Sequence, residues 1–291
     1  MDEFARNIIN IYGEPGRKWL TDLPEIIKIL SIKWQLNYIS PVGNMTYNYV
    51  AKAISQTDTP LILKISCDPE IIAPEKEALM YFYGKGSIKL IDYSEDHNAI
   101  LLHQAVPGVT LKSFYPARPE FVMDNYVSTM QQLHQKELSS KSNFGHISAW
   151  LEALDECDST QMPKNLLEEA VSLKNKLLNS LNKPVVLHGD LHHDNILQDG
   201  EEWLAIDPKG IIGDAEFEIA AFDFITKSEL QSNSDIKKLF EQRVNQIAKK
   251  SNLNPQRIKD WIFVRLILSA AWSIEDKSNP DRAIKLASNI R

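Results

Sequence analysis

The spacing of apolar residues changes near residue 106. Upstream, β-prone runs at Trp34 to Ile39, Thr46 to Ile54 and Leu61 to Ile65 are separated by Ser40-Pro41-Val42-Gly43-Asn44 and Gln56-Thr57-Asp58-Thr59-Pro60. Both separators are turn chemistry, so the pattern predicts consecutive strands. Pro74 to Tyr83 has helical spacing, with Pro at its start and Gly84 and Gly86 just beyond its end. Lys89 to Tyr93 and Ala99 to Val106 complete an expected five-stranded sheet. Past Val106-Pro107-Gly108, helical periodicity dominates at Phe121 to Glu137, Pro163 to Leu181, Ile236 to Lys250 and Arg257 to Glu275. Only Val185 to Leu187, Ile196 to Leu197 and Trp203 to Ile206 have strand character there. The expected class is α+β, with a sheet-rich N-terminal lobe over residues 1–105 and a helical C-terminal lobe over 106–291.

Composition narrows the partners. A chain of 291 residues can bury a substantial core in two lobes. Its net charge of −7 and lack of a basic arm disfavour nucleic acid and are compatible with a cationic ligand. Met1-Asp2-Glu3-Phe4-Ala5-Arg6 lacks the basic start of a secretory signal, and no apolar run approaches the ~18 residues of a membrane span. Cys67 and Cys157 stand far apart and form no metal or redox motif. A cytoplasmic location without a membrane partner is therefore expected, in a compartment that supplies ATP.

The densest chemistry is His188-Gly189-Asp190-Leu191-His192-His193-Asp194-Asn195, followed by Ile206-Asp207-Pro208. A carboxylate, an amide five residues later and a second carboxylate twelve beyond that are the groups kinase-type phosphoryl transfer requires. The first Asp orients the attacking hydroxyl or takes its proton, and the Asn and second Asp hold magnesium on the phosphates. Protein kinases have His-Arg-Asp here, whereas this chain has Gly189 in place of the Arg. His188, His192 and His193 with the nearby Asp residues also suit a zinc or iron site. That rival leaves unexplained the short apolar strand ending in Asp207. Asp-Pro-Lys-Gly stands where protein kinases have Asp-Phe-Gly, which argues against a mobile activation segment. Asp190 is accordingly the catalytic candidate, and Asn195 and Asp207 are the Mg2+ candidates.

Lys64, in Leu61-Ile62-Leu63-Lys64-Ile65, resembles the phosphate-pairing lysine of Val-Ala-Ile-Lys strands. Its alternative is a solvated edge lysine. Glu75 and Glu77 could both pair with it. Glu75 shares a helix face with Ile72, Leu79 and Phe82, so it is the expected partner. The first turn holds one glycine, so phosphate capping would fall to backbone amides with Ser40, Asn44 or Thr46, and an ordinary hairpin turn explains it nearly as well. The Gln104 carbonyl and Val106 amide are expected to meet the adenine.

Together these residues resemble the aminoglycoside phosphotransferase-like kinases, in the branch of streptomycin 6-kinases and hydroxyurea phosphotransferases. The likeness runs from Tyr12-Gly13-Glu14-Pro15-Gly16-Arg17-Lys18-Trp19-Leu20 to Ala270-Ala271-Trp272-Ser273-Ile274-Glu275-Asp276. It implies a bilobal protein-kinase-like fold, ATP as donor, Mg2+ as cofactor and a small hydroxyl-bearing acceptor. It also implies an acceptor site near the catalytic loop and C-terminal helices, with Glu275, Asp276 and His192 as candidate contacts. A solvated helix end is the competing account of the two carboxylates. The family usually has Asp before Leu-Ala, and this chain has Glu218-Ile219-Ala220. Alternatives are a kinase of an endogenous amino sugar or amino alcohol, a non-catalytic nucleotide-binding pseudokinase, and a protein kinase. The short Asp207 to Glu218 interval disfavours the last.

Overall fold

The computed structural model describes residues 3–43, 45–136, 138, 143–157, 161–181, 183–232 and 234–291. It divides into two compact units, one of Met1–Gly108 with Asp199–Glu202 and one of Val109–Gln198 with Trp203–Arg291.

In the first unit, α1 (Glu3–Lys33) precedes β1 (Leu36–Pro41), β2 (Asn48–Ser55) and β3 (Pro60–Ser66). Then come α2 (Pro69–Phe82), β4 (Leu90–Ser94) and β5 (Ala99–His103). The five strands form one antiparallel sheet in the order β1-β2-β3-β5-β4, so β3 is central. Strand side chains alternate faces. Leu61, Leu63 and Ile65 join one apolar cluster with Phe4, Ile8, Leu23 and Leu30 of α1. Lys64 therefore projects from the opposite face, where α2 contributes Glu75.

The sequence pattern did not announce α1. Gly13, Pro15, Gly16 and Pro24 punctuate the segment like a loop. The structure uses Gly13 as a break (φ 59°, ψ −131°) between two helical stretches, and Gly16 where a Cβ would lie 2.7 Å from the Ile8 carbonyl. α2 also starts earlier than the expected Pro74. Asp68 caps it by accepting from the Glu70 amide, and Pro69 occupies the first turn, where a missing N–H costs nothing.

The second unit is entered along β6 (Pro107–Thr110). It contains α3 (Pro119–Leu133), β7 (Gly145–His146), α4 (Ile147–Leu151), α5 (Ala153–Glu156) and α6 (Lys164–Asn179). There follow β8 (Val185–Leu187), β9 (Ile196–Asp199), β10 (Glu202–Ala205), β11 (Ile211–Gly213), α7 (Ala215–Ile219) and α8 (Lys227–Ser232). α9 (Ile236–Ser251), α10 (Pro255–Glu275) and α11 (Asp281–Ile290) complete it. β11 pairs parallel to β7 and antiparallel to β8. α10 buries Ile258, Trp261, Ile262, Phe263, Val264, Ile267 and Leu268, too many directions for one amphipathic stripe. It is the central helix of a core shared with Leu151, Leu187, Ile211 and Phe217. Among the described residues no helix is long and apolar enough to cross a membrane.

Candidate active site

In the first unit, Lys64 Nζ lies 2.6 Å from Glu75 Oε2, and both side chains are buried. The pair unites the centre of the sheet with α2, whose Ile72, Leu79 and Phe82 are buried on the same side as Glu75. Glu77 points to solvent. Ser40 lies on β1, half-buried and in register with Lys52, while Asn44 falls outside the described residues. Gln104 donates its amide to the Pro60 carbonyl at 3.3 Å. The Val106 amide, expected to face a purine, donates to Asp199 Oδ1 at 3.0 Å, and its carbonyl accepts from Gly200 at 2.8 Å. Asp199 also meets His103 Nε2 at 2.8 Å. This acidic partner was not evident from sequence, because it comes from 93 residues downstream.

In the second unit, the loop after β8 is held through its backbone amides by a buried carboxylate. Glu218 Oε2 accepts the His188 amide at 2.6 Å and Oε1 the Gly189 amide at 2.9 Å. The longer side chain thus spans two adjacent amides. Burial would raise the Glu218 carboxyl, but the His134 hydrogen bond and charge and the Gly189 amide hold it below its usual value. His188 Nε2 is 2.7 Å from the Ile206 carbonyl, and the Asp190 amide donates to His188 Nδ1 at 3.2 Å. Those partners select the neutral ring with its proton on Nε2. Burial pushes His188 in the same direction, below the usual histidine range. The ring thereby links Asp190 to the strand end that carries Asp207.

Asn195 Nδ2 donates to the Asp190 carbonyl at 3.0 Å, and the Ile206 amide donates to the Asn195 carbonyl at 2.9 Å. Asp207 follows at φ 59°, a conformation that strains most side chains and that Asp tolerates. With its side-chain nitrogen committed, Asn195 has its side-chain Oδ1 to offer, and its backbone carbonyl is bonded to the residue that precedes Asp207. A hard oxygen from each of Asn195 and Asp207 fits Mg2+, which takes one or two protein ligands and completes its shell with phosphate oxygens and water. Among the described residues no group of three or more His, Cys, Asp or Glu side chains gathers as a metal cage.

The Asp190 side chain is 37% exposed, enough to meet a ligand. His192 Nε2 stands 3.7 Å from Asp190 Oδ2, beyond hydrogen-bond reach. His193 is a packing residue, its ring centroid 5.1 Å from those of Tyr115 and Phe222. Burial lowers its pKa to about 4, so it is neutral at physiological pH. Glu275 and Asp276 are exposed at the C-terminal end of α10, whose last turn has no basic residue.

Two side chains that shape the loop escaped the sequence analysis. A Cβ on Gly189 (φ 86°) would lie 2.9 Å from Trp150 Cη2 and 3.1 Å from Ile211 Cγ2, so Trp150 explains the absence of the protein-kinase arginine. Arg265 reaches the same loop from α10, with Nη2 2.9 Å from the Gly189 carbonyl and 3.3 Å from Asp190 Oδ1. A signal for Arg265 existed: it is the one charge in the apolar run Trp261 to Leu268, and a charge so placed needs a partner.

A family model described as aminoglycoside/hydroxyurea antibiotic resistance kinase matches residues 37–277. The streptomycin 6-kinase of Streptomyces griseus is 25% identical over 281 residues, covering 94% of this chain and 91% of that relative. The hydroxyurea phosphotransferase of Kitasatospora aureofaciens is 23% identical, covering 94% of this chain and 81% of that one. An aminoglycoside phosphotransferase crystallised with ADP and hygromycin B superposes with a TM-score of 0.65 at 15% identity, over 90% of this chain and 95% of the other. That similarity establishes the α+β, protein-kinase-like fold. With its sheet-rich first part, its helical second part and a match over most of its length, the chain belongs to the aminoglycoside/hydroxyurea antibiotic resistance kinase family and is a small-molecule phosphotransferase.

Proposed function

We propose that the protein transfers the γ-phosphate of ATP to a hydroxyl of a cationic small molecule, an aminoglycoside or aminocyclitol of the streptomycin type. The observation that carries this is the loop in which Asp190, half-exposed, is bonded through its backbone to His188 and Asn195. In this mechanism Asp190 orients the acceptor hydroxyl and accepts its proton late, as the phosphorus–oxygen bond forms. Asn195 and Asp207 would hold Mg2+, which when bound supplies charge neutralisation on the phosphates. Lys64, oriented by Glu75, fixes phosphate oxygens, and Ser40 stands by as a further contact. The Gln104 carbonyl remains the candidate acceptor for the base, whereas the Val106 amide would first have to leave Asp199.

Glu275 and Asp276 support a cationic acceptor. Carboxylates at a helix C-terminus oppose its partial negative charge, an arrangement disfavoured by roughly 0.3–1 kcal/mol each. A bound ammonium or guanidinium group relieves that repulsion. The relatives named streptomycin kinases support the same class. The test is a steady-state comparison of streptomycin and other aminocyclitols with neutral polyols. Preference for the cationic acceptors, weakened by E275Q/D276N through a KM roughly 2–10-fold higher, is expected. Equal use of neutral and cationic acceptors would instead favour a general metabolite kinase.

A further inference from the structure

Arg265 is partly buried near the middle of α10, its side chain 14% exposed. Its guanidinium carbon lies 5.2 Å from the centroid of the Phe217 ring. Nη2 bonds the Gly189 carbonyl and Asp190 Oδ1, while Nη1 is buried with no hydrogen-bond partner among the described residues. A buried donor left unused is unfavourable, and an apolar side chain would fill this stretch of helix without that penalty. The compensating feature is a single nitrogen that engages both the backbone entering Asp190 and one oxygen of its carboxylate.

We propose that Arg265 is a positioning residue for phosphoryl transfer, holding Asp190 by Oδ1 so that Oδ2 is the oxygen presented to the acceptor hydroxyl. The inference rests on Asp190 having the role assigned above. His192 Nε2, 3.7 Å from Oδ2, makes no direct hydrogen bond to it. Glu218 fixes the two preceding amides, and Arg265 fixes the following carboxylate, so backbone and side chain of the loop are held by different elements. Small misplacements of a reacting group lower rates steeply, about 10²-fold for an error near 1 Å.

The experiment compares wild type, D190A, R265M and R265K, with kcat and both KM values measured and thermal melting as a check on folding. R265M should lose about 10²-fold in kcat while the KM for ATP stays within about twofold. R265K, which keeps the charge but not the planar fork, should fall between R265M and wild type. A folded R265M with wild-type kcat overturns the role, and so does a raised acceptor KM at unchanged kcat, which would make Arg265 an acceptor contact. If R265M does not fold, R265K decides: reduced kcat at unchanged KM supports positioning, and unchanged kcat overturns it. A wild type that phosphorylates no acceptor, or a D190A as active as wild type, removes the phosphotransferase mechanism itself and the Arg265 role with it. An active wild type, an inactive D190A and a fully active R265M remove the Arg265 role alone.

Discussion

Glu218 shows how much of a site can depend on one side chain that never meets the ligand. Its two oxygens satisfy the amides of His188 and Gly189 in a region where neither amide has water as a substitute. E218Q replaces one acceptor with a donor facing an N–H, and should destabilise the fold by on the order of 2–5 kcal/mol in urea unfolding. Its pH signature follows from sign. The folded carboxyl titrates below its ordinary value of 4.5, so its contribution is present above that pH and disappears as pH falls through the lower folded value. His188 likewise titrates below its ordinary 6.5 when folded, so its contribution also shrinks on acidification below that pH. Stability should therefore decline from about pH 6.5 downward, and E218Q should lose the most acidic part of that slope. A slope unchanged in E218Q would contradict the assignment. Residues like these divide what sequence can disclose. Asp190, Asn195 and Asp207 could be proposed as a site from sequence because phosphoryl-transfer chemistry imposes such a spacing along one stretch of chain. Trp150 carried no such signal, and Arg265 stood out only as a lone charge in an apolar run with its partner unspecified, because each arrives from a separate element and only packing brings it to the loop.

At the scale of elements, the first unit illustrates why some assignments were available and others were not. Alternation along Leu61-Ile62-Leu63-Lys64-Ile65 and the helical face of Ile72, Glu75, Leu79 and Phe82 sufficed to pair Lys64 with Glu75, since both periodicities are geometric. The centrality of β3 could not be read from the chain, and it is what removes Lys64 from solvent. α1 was missed for a physical reason: its helix-breaking residues are accommodated by one kink at Gly13 and by close packing at Gly16. Removing one partner of the buried pair is the informative change. E75A removes the buried carboxylate that Lys64 bonds at 2.6 Å and should cost about 3–5 kcal/mol, measured by chemical denaturation. It should also raise the KM for ATP, because Lys64 loses the group that aims it. A variant with unaltered stability and nucleotide KM would mean that the pair neither supports the unit nor orients the lysine.

For the whole molecule, net charge bears on the cationic acceptor proposed above. The chain carries a net charge of −7, and Glu275 and Asp276 concentrate two of its carboxylates at the end of the core helix. Attraction of a polycation to exposed carboxylates is screened by salt, over a Debye length of about 8 Å at physiological ionic strength. The KM for a cationic acceptor should rise between 50 mM and 500 mM salt while that for a neutral acceptor changes little. A salt-insensitive KM would place the specificity elsewhere. The central claim is that Asp190 directs phosphoryl transfer to a small-molecule hydroxyl, and its most direct test is magnesium-dependent ADP production with streptomycin and related aminocyclitols, wild type against D190A. The account predicts acceptor-dependent turnover that falls by about 10²–10⁴-fold in D190A. Near-full activity in D190A, or no acceptor-dependent turnover in the wild type, would contradict it.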